Sequence, residues 1–282
     1  MRKKPLNGKK AADFGFPLAQ QNLSECYDKG KGVEKDEKEA ASWLKRAANQ
    51  EFAPAQALYG WKLEMGHGIT KNTREAANWY LKAAQGGLVR AMTRLAYMYY
   101  TGKGVPLDYR RAEAWYRRAA RSADPMAKND LAWFLSVCPD DNFHDGESAV
   151  GFARTSLSEL KEEDYQVIDT LAAALARAGN YGEAVQAQTK AILAFDREAK
   201  ERKEMTPEDI AKMEEELNSR LKIYRNQKAF SEEPPKVEQG MKPLMDDRIL
   251  QEEHMPRRKK RPSAPAGDIE ISWHGDFTAT AA

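Results

Sequence analysis

The sequence predicts an all-α protein: a right-handed superhelix of stacked helix pairs that ends in a disordered C-terminal tail. Three observations lead there. One pattern recurs without a gap at a spacing of 36 residues, its apolar positions have a helical period, and both features fade beyond residue 225.

The repeat is plain when its copies are set under one another. The first reads AQQNLSECYDKGKGVEKDEKEAASWLKRAA from Ala19, the second AQALYGWKLEMGHGITKNTREAANWYLKAA from Ala55, and the third AMTRLAYMYYTGKGVPLDYRRAEAWYRRAA from Ala91. The glycine pairs Gly30/Gly32, Gly66/Gly68 and Gly102/Gly104 coincide, as do Trp43, Trp79 and Trp115 and Ala40, Ala76 and Ala112. Ala19, Leu23 and Tyr27 form an i, i+4, i+8 stripe, which predicts a first helix. Ala40, Trp43, Leu44, Ala47 and Ala48 follow i, i+3, i+4, i+7, i+8, which predicts a second. The first glycine of each pair suits the left-handed position that ends a helix, because it lacks a Cβ. Asp36, Asn72 and Asp108 are placed to N-cap the helix that follows. One helix pair cannot bury its apolar face alone, so the units must stack.

At these residues, AxxxLxxxY, then GxGV, then AxxWYxxAA three times over, the chain resembles the Sel1-like repeat, a relative of the tetratricopeptide repeat. The resemblance covers about residues 11–126 and implies an α-solenoid that acts as an adaptor for other proteins. One departure lies in the glycine that often follows the alanine pair: Gly15 and Gly87 keep it, whereas Glu51 and Ala123 replace it. Some relatives are linked to β-lactams, but nothing here resembles an SxxK motif.

The expected organisation has three parts. Residues 1–126 hold a truncated lead (9–18) and the three units. Residues 127–225 hold a degenerate fourth repeat, a tetratricopeptide-like unit and a capping helix. In the fourth repeat Leu131 and Leu135 keep the spacing while Ala149 and Phe152 fall one residue late. Leu171, Ala172, Gly179, Tyr181, Ala184 and Ala191 match the tetratricopeptide unit. Thr206, Pro207, Glu208 and Asp209 open the cap, with Ile210, Met213, Leu217, Leu221 and Tyr224 on one face. Residues 226–282 read as a disordered tail, since six of the 13 prolines lie beyond Ser231 and no amphipathic pattern persists. It carries the basic run Arg257, Arg258, Lys259, Lys260 and Arg261, an alternative site for nucleic acid or an anionic surface within 256–262. DIEISWHGDF beyond it could dock on a partner as an added strand or short motif.

Charged residues make up 31% of the chain and the net charge is only +2, so no global field points to nucleic acid or membrane. Two cysteines make no disulfide framework or zinc spacing. The basic N-terminus lacks an apolar core for a secretory signal, and no apolar run reaches the ~20 residues of a membrane span. The expected location is therefore cytoplasmic. No catalytic constellation emerges, and neither a cofactor nor a metal is expected. The repeated Gly-Lys-Gly lacks the strand and GxxxxGK[ST] of a phosphate loop. Cys138 and His144 are six residues apart without an orienting third group or oxyanion site.

What remains is binding, with another protein or an extended peptide as the expected partner. The first helix of each unit would line a concave face, and three columns at a shift of 36 flank its core stripe. They are Glu25, Trp61, Tyr97 and Trp133; Asp28, Glu64, Tyr100 and Ser136; and Gln21, Ala57, Thr93 and Asn129, with Arg90 at the edge. The large aromatics make good anchors, because they bury much area at low entropic cost. The acidic residues near the start would favour a basic segment of the partner. The truncated lead, KKAADFGFPLAQ at residues 9–20, leaves three options: residues 1–12 fold back as a cap, the true start lies upstream, or the open end meets another chain, which would be self-association if that chain is a second copy.

Overall fold

The structure is a computed structural model that describes residues 7–160, 163–201, 205–237, 240–242, 244 and 249–252. Among these residues every regular element is a helix. They divide into two compact units, one of residues 7–127 with the described part of 235–252, the other of the described residues within 128–234.

The first unit stacks α1 (Asn7–Asp13), α2 (Pro17–Lys29), α3 (Glu37–Ala48), α4 (Ala53–Met65), α5 (Thr73–Gln85), α6 (Val89–Thr101) and α7 (Tyr109–Ala120), each on its neighbour. This is a helical solenoid. Local chemistry ends and restarts each pair in the same way. Gly30, Gly66 and Gly102 cap α2, α4 and α6 in the left-handed conformation. Asp36, Asn72 and Asp108 then accept backbone N–H bonds in the first turns of α3, α5 and α7. The N–H groups of the same three residues donate back to Tyr27, Leu63 and Tyr99, at 2.8 to 3.0 Å, which fixes the angle between the two helices.

The alanines that recur in the sequence are the floor of the core: Ala40, Ala47, Ala76, Ala83, Ala112 and Ala119 are fully buried. Trp43, Trp79 and Trp115 fill the space beside them. A cation three residues on covers each indole, Arg46 at 4.4 Å, Lys82 at 4.4 Å and Arg118 at 5.6 Å. The second glycine of the pair does a different job from the first. A Cβ on Gly68 would lie 2.0 Å from the carbonyl oxygen of Glu37, and one on Gly104 would lie 2.5 Å from that of Thr73. These glycines are where one repeat touches the one before it. Glu51 adopts φ 59°, so the turn keeps its left-handed residue without the glycine that Gly15 and Gly87 supply. At the front, α1 packs Ala12 against Leu23 and Trp43, and Gln20 Nε2 donates to the Ala12 carbonyl.

The second unit holds most of α8 (Pro125–Val137), a 3-10 turn (Asp141–Phe143), α9 (Gly146–Glu159), α10 (Tyr165–Arg177), α11 (Tyr181–Glu201) and α12 (Pro207–Arg225). Here the glycine pair is gone, yet Asp145 still caps α9 and its N–H still bonds the Leu135 carbonyl at 3.0 Å. That is the tie of the earlier repeats with one residue added, which explains why Ala149 falls late. Ala149 is buried and Phe152 half-buried. Thr206 and Asp209 close a reciprocal capping box on α12. Leu217 and Tyr224 of α12 are fully buried, in two clusters with residues of α8, α10 and α11. Inside this packing Arg220 bonds Asp169 at 2.9 Å, both nearly out of solvent.

The front of the expected tail needs correction. Phe230, Leu244 and Ile249 are buried, and α13 (Ile249–Glu252) packs on α7. Phe230 joins the cluster of Val137, Leu175 and Tyr224. These apolar residues are spaced too irregularly to signal a helix or strand, so the composition alone hid them. The basic run Arg257–Arg261 and DIEISWHGDF lie outside the described residues.

Candidate functional site

Each column flanking the core stripe of the first helices meets a different fate. In the first unit Trp61 on α4 and Tyr97 on α6 are half-buried and Glu25 on α2 is exposed. The Trp61 ring stacks on His67 with centroids 4.9 Å apart and planes 10° apart. Tyr97 lies between two cations, Arg94 at 5.3 Å and Lys103 at 5.6 Å. Arg90 and Thr93 open α6 one turn earlier; Arg90 is exposed, and among the described residues its guanidinium has no partner.

The second column is structural in both units. Glu64 is buried and receives Arg94 through Nε at 3.0 Å and through Nη2, together with the Tyr80 hydroxyl at 3.0 Å. Burial first, and then the Glu64 carboxylate, push the Tyr80 phenol above its ordinary value, so it remains a donor. Asp28 bonds the buried Lys62 at 2.6 Å. The pairs Asp28–Lys62 and Glu64–Arg94 thus join α2 to α4 and α4 to α6. Tyr100 is buried against Tyr109, with centroids 5.7 Å apart, and Ser136 is buried with its hydroxyl bonded to Ala132. The expectation that this column faces a partner is corrected for Asp28, Glu64 and Tyr100, which pair with a neighbouring helix, while Ser136 bonds back within α8. The preference for a basic ligand segment goes with it, since Asp28 and Glu64 are neutralised internally and Glu25 pairs with Lys29.

In the third column Gln21 is partly buried and Thr93 half-buried, while Asn129 in the second unit is buried. Neither Gln21 Oε1 nor Asn129 Oδ1 has a hydrogen-bond partner among the described residues. Trp133, one turn beyond Asn129 on α8, is covered by residues of the same unit. Its ring lies 6.4 Å from that of Phe230, and its Nε1 donates to Glu232 at 2.9 Å. Sequence reasoning missed Lys62, Arg94, Arg177 and Glu232. None of them carries a local signal, because each pairs with a residue roughly 30 to 100 positions away in the chain.

The pairing of Cys138 with His144 is not a nucleophile and base. His144 Nε2 bonds the Cys138 main-chain carbonyl at 2.7 Å, and Cys138 is fully buried. Burial and the Arg177 guanidinium push the imidazole down to about 4, so it is neutral at pH 7. Among the described residues no group of three His, Cys, Asp or Glu side chains is placed to hold a metal. No helix among them is long and apolar enough to cross a membrane.

A family model described as the Sel1 repeat matches residues 17–52, 53–88 and 89–124. Among solved structures, a Sel1 repeat protein from Oxalobacter formigenes is 31% identical over 66% of this chain and 83% of its own, with a TM-score of 0.55. Cysteine rich protein B of Helicobacter pylori is 24% identical over 43% of this chain and 92% of its own, at a TM-score of 0.35. The protective antigen c5321 of uropathogenic Escherichia coli strains, which displays an SLR fold, is 23% identical over 76% and 55%, at 0.33. A search of curated proteins finds no match.

Proposed function

The chain belongs to the Sel1 repeat family, whose members are generally protein-interaction scaffolds, and on that premise we propose that it holds a protein or extended peptide on the face formed by α2, α4 and α6. The observation that carries this reading is the pair Trp61 and Tyr97. They occupy equivalent positions of successive repeats, each keeps part of a large ring in solvent, and neither is needed to fill the core around Trp43, Trp79 and Trp115. Aromatic rings flanked by cations suit a partner that offers carboxylates and apolar side chains. Lys103 beside Tyr97 and the exposed Arg90 supply the positive charge, Arg94 being taken up by Glu64, with Gln21, Glu25 and Thr93 completing the rim. The non-enzymatic role is part of this reading, supported by membership of a family whose fold is a scaffold.

The test is an affinity pull-down from the source cell, with wild type beside a Trp61→Ala/Tyr97→Ala variant of unchanged helical content. A protein held by wild type and lost by the variant supports the reading. Equal retention by both overturns it, and then deletion of residues 256–262 with salt-dependent binding as the readout examines the basic run.

A further inference from the structure

Residues 230–232 sit on the second unit much as an extended peptide sits in a receptor. The segment leaves α12 through Gln227, whose φ of 55° reverses the chain, and 228–237 forms neither helix nor strand. Phe230 inserts beside Trp133, and the buried Arg220 guanidinium lies 5.8 Å from the Phe230 ring and 5.7 Å from the Trp133 ring. One arm of Arg177 donates to the Phe230 carbonyl and to the Ser231 hydroxyl, each at 2.6 Å, while its Nε bonds the Ser136 carbonyl at 2.6 Å. The Glu232 N–H donates to the Val137 carbonyl at 2.8 Å, and the Glu232 carboxylate accepts from Trp133 Nε1 at 2.9 Å.

These contacts read three successive residues through their main chain and side chains together. Arg177 and Val137 hold the backbone in one register. The aromatic and cationic slot selects a planar apolar ring, and the indole N–H selects a carboxylate two residues later. Pro234 and Pro235 follow after Glu233 and favour an extended chain. A helix end that only needed covering would not require a guanidinium aimed at a main-chain carbonyl. We propose that the slot between Trp133, Arg177 and Arg220 is a binding site for an extended peptide carrying an aromatic residue and, two positions on, a carboxylate, and that residues 230–232 are its intramolecular occupant. This deepens the reading of the chain as a peptide-holding scaffold and rests on it.

The tether makes the local concentration of the internal ligand roughly millimolar, so an external peptide competes only by displacing it. The site is therefore closed until a partner with a better-fitting segment arrives, and its apparent affinity is lowered by the fraction of time the strap is seated.

The experiment uses the full chain and a fluorescein-labelled peptide of residues 227–236, QKAFSEEPPK, read by anisotropy. A Phe230→Ala variant should bind it roughly tenfold or more tightly than wild type, because the slot is vacated. Adding Arg177→Ala to that variant, or replacing the phenylalanine of the peptide by alanine, should abolish binding. A folded Phe230→Ala chain that binds no better than wild type overturns the proposal. Hydrogen exchange on the wild-type chain decides independently, and serves where the variant fails to fold. The Glu232 amide should exchange well before the amides of α10 and α12, and exchange in step with them makes the segment an inseparable part of the core and overturns the proposal. The pull-down reads the α2–α4–α6 surface and the anisotropy reads only the slot on α8, α10 and α12, so failure of one and failure of the other are separately visible.

Discussion

The two glycines of the second repeat have the same backbone sign and different duties, and exchanging them for alanine one at a time measures the difference. Gly66 and Gly68 adopt φ of 84° and 68°. Alanine at either position carries the left-handed strain, about 1–2 kcal/mol. At Gly66 that is nearly all, because the new Cβ would meet its nearest atom, Lys71 Cβ, at an ordinary 3.4 Å. At Gly68 the new Cβ would stand 2.0 Å from the Glu37 carbonyl oxygen and 2.9 Å from Glu37 Cβ. Restoring a 3.4 Å contact moves the first turn of α3 by about 1.4 Å, and forced expansion of a packed contact costs about 1–3 kcal/mol. Gly66→Ala should therefore lose about 1–2 kcal/mol and Gly68→Ala about 2–5 kcal/mol. Urea unfolding followed by helical signal gives both numbers. Hydrogen exchange should place the extra loss in the Gly68→Ala chain at the start of α3. Equal losses, within about 0.5 kcal/mol, would refute the claim that the second glycine is the contact between repeats.

Other substitutions probe the remaining physics. Asp169→Asn strands the buried Arg220 and should cost about 3–5 kcal/mol in urea unfolding, most of it regained when Arg220→Met accompanies Asp169→Leu. His144 protonates near 6.5 in the unfolded chain and near 4 in the folded one, so the unfolded state binds more protons between those values. Stability present above pH 6.5 is thus lost as the pH falls towards 4. The full shift, which already includes the adjacent Asp141 carboxylate, corresponds to about 3 kcal/mol, and His144→Gln should remove that component of the pH profile. Glu51→Gly should raise the urea midpoint by the equivalent of about 0.5–1 kcal/mol, since it relieves a left-handed residue that Gly15 and Gly87 avoid.

Much of the fold was legible because each repeat is specified by local chemistry. A glycine that must go left-handed, an aspartate that must cap and an alanine stripe that must pack leave their marks at fixed offsets, and a shift of 36 superposes them. The site was legible only in part. Positions three apart on a helix lie only about 60° from one another, so neighbouring columns such as Tyr97 and Tyr100 look alike in sequence, and that small rotation leaves one half-buried and buries the other. Lys62 and Arg94 pair across helices whose relative offset no single-chain pattern reveals. Phe230 was hidden for another reason: its partners Trp133 and Arg177 are far away in the chain, and a three-residue extended segment has too few positions to show a period.

The central claim is that a partner lies across α4 and α6 at Trp61 and Tyr97. Its most direct test is a photo-crosslinking residue in place of Arg90, exposed at the start of α6, with the same residue in place of the exposed Asn78 on α5 as the control. The account predicts a covalent adduct with another polypeptide in cells from position 90, and none from position 78. An adduct from position 78 alone, or from neither position while the chain still co-purifies with a partner, would contradict it.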